Sequence, residues 1–265
     1  MSTSENRIDL DEVQSWAREG GTLARQYFNS VTARRKADRS LVTEADELIE
    51  RMLVERIAAR YPDHGIIGEE QTRRANGSEF VWAVDPLDGT ASFVAGLPLW
   101  GVSLGLLRNG APYLGVVYMP LPDDCYWAGP SGGAFLNGSP IQVAAPESWD
   151  SEDWLSVPSD THRRYAIEFS GKTRSISCTS ASFLYVARGS AIGALVRRSP
   201  IWDIAAGLAI LHAAGGVAVG LSGQPLDTAA LLDGRPTPEP TIVAAPSQVQ
   251  ALREIIRERP AARRG

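Results

Sequence analysis

From residue 8 to about residue 35, apolar side chains return at helical spacing. Leu10, Val13, Trp16 and Ala17 are followed by Leu23, Ala24 and Phe28, which predicts an amphipathic helix. The polar stretch Lys36-Ala37-Asp38-Arg39-Ser40 breaks the pattern. A second helix is expected from Thr43. Thr43 and Asp46 have capping-box spacing, Ile49, Leu53 and Ile57 make one apolar stripe, and Pro62 ends the run. The period then shortens. Apolar runs at 66–68, 80–84, 100–107, 113–118 and 125–128 read as strands. Asn109-Gly110 between two of them is a hairpin signal, and the glycine-rich stretch 129–138 is expected to continue an antiparallel meander.

Pro146 and the acidic residues of 150–153 suggest a division near 148, giving an N-terminal half 1–148 and a C-terminal half 149–265. In the second half, 154–157, 175–178, 191–196 and 241–244 read as strands. Residues 180–188 and 203–214 read as helices, the latter stopped by Gly215-Gly216, and a closing helix starts at Ser247. An antiparallel first half beside a mixed second half predicts an α+β protein of layered helices and sheets.

Composition narrows the function. At 265 residues with 44% hydrophobic and 22% charged residues, the chain can bury a core without disulfide or metal staples, so any metal serves chemistry. The net charge of -5 and the lack of basic runs, apart from a mildly basic tail over 253–264, speak against a nucleic-acid partner; the tail reads as a solvated helix end and terminus. No run is long and apolar enough for a membrane span. Two distant cysteines, Cys125 and Cys178, and a start without an apolar signal lead to an expected cytoplasmic location. His64, His162 and His212 lack zinc-ligand spacing, and no Gly-Lys-Ser/Thr loop follows a strand.

The densest chemistry is Asp85-Pro86-Leu87-Asp88-Gly89-Thr90, reached directly from the strand 80–84. Two carboxylates at a strand end repel each other unless a cation neutralises them, and hard oxygen donors suit magnesium. Gly89 and Thr90 would open a short helix towards an anion. A pair of ordinary turns is the competing reading. Gly68-Glu69-Glu70 after a strand would alone read as solvated acids. Asp203, in Trp202-Asp203 at the start of an apolar helix, would alone read as its N-cap.

Together these segments resemble the inositol monophosphatase family of metal-dependent phosphatases. The superfamily also includes fructose-bisphosphatases, histidinol-phosphate phosphatases and phosphoadenosine-phosphate phosphatases. The resemblance runs from Lys36 and Leu41-Val42-Thr43-Glu44-Ala45-Asp46, through Gly68-Glu69-Glu70 and Asp85-Pro86-Leu87-Asp88-Gly89-Thr90, to Gly133-Ala134-Phe135-Leu136-Asn137-Gly138, Trp202-Asp203 and Gly215-Gly216. Ala95 departs from it, standing where the family usually has a polar or basic residue. The resemblance implies an α/β/α/β/α sandwich and a phosphomonoesterase dependent on two or three Mg2+ ions, with Mn2+ as a substitute. It also implies a homodimer and lithium sensitivity.

The same resemblance implies that Asp85 bridges two ions. Glu69 and the Leu87 carbonyl would complete one site, Asp88 and Asp203 the other. Glu69 is chosen over Glu70 as the first of the pair. Thr90, Asp46 and Glu69 would form a relay to the attacking water, although capping explains Asp46 equally well. Gly89 and Thr90 would face the phosphate, and Asp88 and Thr179 the substrate. Lys36 matches a lysine near the mobile site loop. The acidic residue that contacts inositol in animal enzymes, seven positions before the Trp-Asp aspartate, is Val196 here. Arg197 and Arg198 follow it, either as solvated side chains or as a grip on a second phosphate or carboxylate, as in prokaryotic dual-specificity fructose-bisphosphatases. Inositol 1-phosphate, the family default, is the substrate the resemblance implies, and Arg197 and Arg198 favour fructose 1,6-bisphosphate as its main rival. Fructose 1,6-bisphosphate, histidinol phosphate and 3'-phosphoadenosine 5'-phosphate are alternatives, and a catalytically inactive metal-dependent scaffold is the non-enzyme alternative.

Overall fold

The computed structural model describes residues 8–37, 40–74 and 77–259. The first helix, Leu10–Tyr27, is capped by Asp9, whose carboxylate accepts from the Asp11 and Glu12 N–H groups at 3.1 and 3.3 Å. It stops well before residue 35. The apolar stripe ends at Phe28, which is extended, and Asn29 adopts a left-handed φ of 65°. Arg34–Arg35 then pairs antiparallel with Leu41–Val42. The second helix, Glu44–Arg60, begins at the anticipated capping box of Thr43 and Asp46.

Residues 65–141 build an eight-stranded sheet. Its order is Ser139–Ile141, Ala134–Leu136, Asp124–Ala128, Ala111–Met119, Gly101–Arg108, Phe80–Asp88, Gly65–Gly68 and Arg73–Arg74. Only the pair Gly65–Gly68 and Phe80–Asp88 is parallel. Asn109-Gly110 makes the expected tight hairpin, with φ of 50° and 79°. Asn137-Gly138 repeats it, with φ of 49° and 81°, and carries the antiparallel meander on to Ser139–Ile141, as expected.

Side chains of Phe80–Asp88 alternate between two cores. Trp82 and Val84 pack with Val13, Trp16, Ile49 and Leu53 of the first two helices. Val81 and Ala83 pack with Phe183 and Ile204 of the helices Thr179–Ala187 and Ile201–Ala213. That same core takes in Ala194 and Val243 from a five-stranded sheet, ordered Lys172–Arg174, Trp154–Ser156, Gly193–Val196, Thr241–Ala244 and Val217–Gly220. Leu195 and Ile242 face the other way, onto Leu252 of the helix Val249–Ile255. Helices, sheet, helices, sheet, helix is the layered α+β sandwich expected.

Three further local expectations fail. The run 175–178 is not a strand, because Ser177 is left-handed at φ 51° and the chain turns there into the next helix; the strand is Lys172–Arg174. Asp203 is not an N-cap: the helix begins at Ile201 behind Pro200, which leaves Asp203 in the first turn. The tail is not simply a helix end, since Ile256–Glu258 pairs antiparallel with Tyr165–Ile167; residues 260–265 lie outside the described residues.

Candidate active site

Phe80–Asp88 carries two aspartates to the edge of the core, where the pairing with Gly101–Arg108 shifts register between Asp85 and Asp88. Asp85 is 2% exposed, and its Oδ1 accepts the Leu87 N–H at 3.0 Å. Asp88 lies against the N-terminus of the helix Thr179–Ala187. It accepts the Thr179 N–H at 3.0 Å, the Ser180 N–H, and the Cys178 thiol at 3.3 Å. A helix N-terminus is a favourable place for that charge, and burial keeps the Cys178 thiol protonated by raising its pKa well above the ordinary value. Gly89, at φ 88°, lets the chain turn tightly, since a Cβ there would lie 3.0 Å from the Leu99 carbonyl oxygen.

Glu69 and Glu70 follow the strand Gly65–Gly68. Lys36 bridges them, its Nζ 2.8 Å from Glu69 Oε1 and 2.7 Å from Glu70 Oε1. Burial raises the Glu70 carboxyl to about 7, with Lys36 opposing the shift. Asp46 is fully buried, and burial raises it to about 6 against the hydrogen bonds from Thr43. Its Oδ2 serves the capping box, while its Oδ1 lies 3.2 Å from Thr90 Oγ1. The Thr90 hydroxyl is also 3.0 Å from the Leu87 carbonyl oxygen; its one proton can serve either acceptor. The capping role of Asp46 and its contact with Thr90 therefore coexist on two oxygens of one carboxylate.

The first turn of Ile201–Ala213 brings Asp203 to the same place. The Asp85 carboxyl is pushed well above its usual range first by burial, then by Glu69, Asp88 and Asp203. Asp203 is raised by burial, then by Asp88 and Glu69, with Lys36 opposing. Four acids from three separate segments thus repel one another around one hollow. Among the described residues, no three His, Cys, Asp or Glu side chains are drawn closely enough together to close on one ion as they stand. Lys36 and the backbone donors of the Thr179 helix occupy part of their hydrogen-bonding capacity. The donor set itself, carboxylate oxygens with a backbone carbonyl nearby, fits a hard divalent cation and not a soft one.

Beside Asp88 opens a cleft of about 250 Å3, with Ala91, Ser177, Thr179 and Arg197 among its lining. Arg197 stands there with its guanidinium 3.7 Å from Asp160. Arg198 donates instead to the Thr237 carbonyl at 2.8 Å. The two arginines that the sequence presented as a pair, both just beyond the strand Gly193–Val196, thus have different partners. Thr179 meets both Asp88, through its N–H, and the cleft.

Glu50 is the residue the sequence reading missed. It is 3% exposed and accepts four hydrogen bonds from residues 70–72. A signal was available. Asp46, Ile49, Glu50, Leu53 and Ile57 form the buried face of their helix, so a glutamate falls where an apolar residue was due.

A sequence model described as the Inositol monophosphatase family matches residues 9–262. A fructose-1,6-bisphosphatase/inositol-1-monophosphatase of Aquifex aeolicus is 32% identical over 228 residues, covering 81% of this chain and 86% of that protein. A histidinol-phosphatase of Chlorobaculum parvum is 35% identical over 218 residues, covering 78% and 84%. The solved structure of the Thermotoga maritima IMPase superposes with a TM-score of 0.81 at 28% identity, covering 93% of this chain and 95% of that one.

Proposed function

Since this chain belongs to the inositol monophosphatase family and is a phosphatase of that hydrolase class, we propose that it is a magnesium-dependent phosphomonoesterase acting on a small polyol phosphate, inositol 1-phosphate foremost. The observation that carries this reading is the gathering of Glu69, Asp85, Asp88 and Asp203, with the Asp85 and Asp203 carboxyls raised by burial and by their neighbours. Side chains that repel one another this strongly are expected to be held together by a cation in the working enzyme.

Glu69, Asp85 and the Leu87 carbonyl would hold one magnesium ion, and Asp85, Asp88 and Asp203 a second. Bound magnesium supplies positive charge against the phosphate dianion and acidifies water. Thr90 Oγ1 accepts a hydrogen bond from the attacking water and donates its own proton towards Asp46 Oδ1, 3.2 Å away. Asp46, raised to about 6, is an acceptor whose proton affinity lies close to working pH. The backbone at Gly89 and Thr90 faces the phosphate oxygens. Thr179 lines the cleft that would receive the alcohol portion, and Asp88, which accepts the Thr179 N–H, would meet the substrate from beside it.

A second substrate reading, fructose 1,6-bisphosphate, is favoured by Arg197 on that cleft, where a guanidinium would meet a distal phosphate in forked geometry. The Aquifex aeolicus relative bears both names. Arg198, held by the Thr237 carbonyl, contributes to this reading only by fixing the loop. A homodimer, lithium inhibition and a cytoplasmic location complete the proposal. The unpaired Cys125 and Cys178 suit a reducing compartment, and among the described residues no helix is long and apolar enough to cross a membrane.

Phosphate release from inositol 1-phosphate, fructose 1,6-bisphosphate, histidinol phosphate and 3'-phosphoadenosine 5'-phosphate, with and without Mg2+, tests the assignment. Magnesium-dependent turnover highest on inositol 1-phosphate is expected. No magnesium-dependent turnover on any of the four would refute it.

A further inference from the structure

We propose that Glu50 is a positioning residue, whose buried carboxylate fixes the segment 69–72 so that Glu69 stays aimed at the aspartates. This rests on the reading of Glu69 as a magnesium ligand. Glu50 projects from the helix Glu44–Arg60 into the base of the loop that joins the strands Gly65–Gly68 and Arg73–Arg74. Its Oε2 accepts the Glu70 N–H at 2.6 Å. Its Oε1 accepts the Gln71 N–H at 2.9 Å, the Thr72 N–H at 3.0 Å and the Thr72 hydroxyl at 3.0 Å. Three consecutive backbone donors therefore end on one side chain. Left without it, these half-buried donors would lose their common acceptor and the loop its fixed shape.

The loop is shaped around this carboxylate. A Cβ on Gly68 would lie 2.5 Å from Glu50 Cδ, so the residue before Glu69 must be glycine for the acid to reach its donors. Only an acceptor-only group fits. In glutamine the amide would point its own N–H at either the Glu70 N–H or the Thr72 donors. Glu50 is also one helical turn beyond Asp46, which touches Thr90. One helix thereby supports both the proton acceptor and the Glu69 segment, and Glu50 itself touches neither the phosphate-facing backbone nor the cleft.

The test is Mg2+ titration calorimetry on the whole chain, alongside Mg2+-dependent phosphate release and thermal unfolding. The variants are Glu50→Gln, Gly68→Ala, Glu69→Gln and, as a core control, Ile57→Val. Glu50→Gln and Gly68→Ala are each expected to bind Mg2+ about tenfold more weakly, the scale on which outer partners act, with half-maximal turnover moving to correspondingly higher Mg2+. Ile57→Val lowers the melting temperature but leaves Mg2+ affinity unchanged. A folded Glu50→Gln that binds Mg2+ within about twofold of the parent chain, well inside that scale, overturns the proposal. If Glu50→Gln does not fold, Gly68→Ala, which keeps the carboxylate and only displaces it, decides by the same criterion. Unchanged Mg2+ affinity in Glu69→Gln strikes instead at the ligand assignment, and is distinguishable because it leaves the Glu50→Gln result to be read by itself.

Discussion

Gly105 and Gly115 face each other across two strands of the large sheet, and the helix bearing Asp203 lies directly upon them. A Cβ on Gly115 would be 2.3 Å from the Ala206 carbonyl oxygen and 2.9 Å from its Cα. A Cβ on Gly105 would be 2.5 Å from Ala205 Cβ and 2.7 Å from the Ala206 nitrogen. The obstacle is backbone, so no side-chain rotation relieves it. Nor is the helix free to lift away, because Gly207 already sets it close against Phe183, 2.9 Å from a would-be Cβ.

Gly115→Ala therefore forces a movement of about 1 Å to restore ordinary van der Waals separation. Overpacking of this kind costs about 1–3 kcal/mol, which in a chain of this size lowers Tm by roughly 2–6 °C. Asp203 sits three residues before Ala206, so the displacement reaches it. A shift of about 1 Å at a reacting centre costs roughly a hundredfold in rate. The assay is phosphate release at saturating Mg2+, paired with thermal unfolding. Ile192→Val, in the core beneath the last helix, serves as a destabilised control with kcat unchanged. If Gly115→Ala keeps kcat within about twofold of the parent, against the hundredfold expected, the argument that this glycine pair seats Asp203 is wrong.

Asp85→Asn keeps an acceptor for the Leu87 N–H but removes a charge whose folded-state pKa is raised. Such an acid destabilises the fold increasingly as pH rises above the ordinary carboxylate range of about 4. In chelator near pH 8, Asp85→Asn should therefore melt above the parent chain while losing nearly all magnesium-dependent turnover; a lower Tm there contradicts the repulsion argument. Arg197→Ala should raise KM for a bisphosphate roughly tenfold or more, as loss of a charge-assisted contact does, and leave inositol 1-phosphate untouched. Arg198→Ala should lower Tm with little change in either KM, and the reverse pattern would show that the arginine roles are exchanged. His64, stacked between Tyr61 and Phe80, accepts the Trp82 indole N–H at 3.0 Å, and burial lowers its pKa. Its contribution is present above the ordinary histidine pKa of about 6.5 and is lost as pH falls, so His64→Gln should lose less Tm than the parent between about pH 7 and 5.

What was legible in the sequence was what neighbouring residues decide. Asp85 and Asp88 could be placed because the strand, the turn and both acids lie within a few positions. The capping box of Thr43 and Asp46 and the Asn109-Gly110 hairpin are equally local, and each stands where expected. Failures occurred where a distant partner chose. Asp203 resembled a cap until Pro200 was seen to start its helix. Arg197 and Arg198 look alike in sequence, but one is claimed by a carbonyl thirty-nine residues away and the other borders the cleft. Likewise Glu50 reads as a solvated helix residue unless its place on the buried face is noticed.

Two buried carboxylates, one legible in the sequence and one missed, share a physical feature. Glu50 and Asp88 each spend a buried carboxylate on backbone N–H groups from a segment remote in sequence. A charge satisfied this way costs little on folding, because each donor would otherwise need a partner of its own. Asp85 differs: it receives a single backbone bond and faces three other acids. Glu50 satisfies the loop, whereas the ionised Asp85 opposes the fold. The Asp85 and Asp203 carboxyls, both raised first by burial and then by neighbouring acids, are the ones whose repulsion a bound cation would relieve.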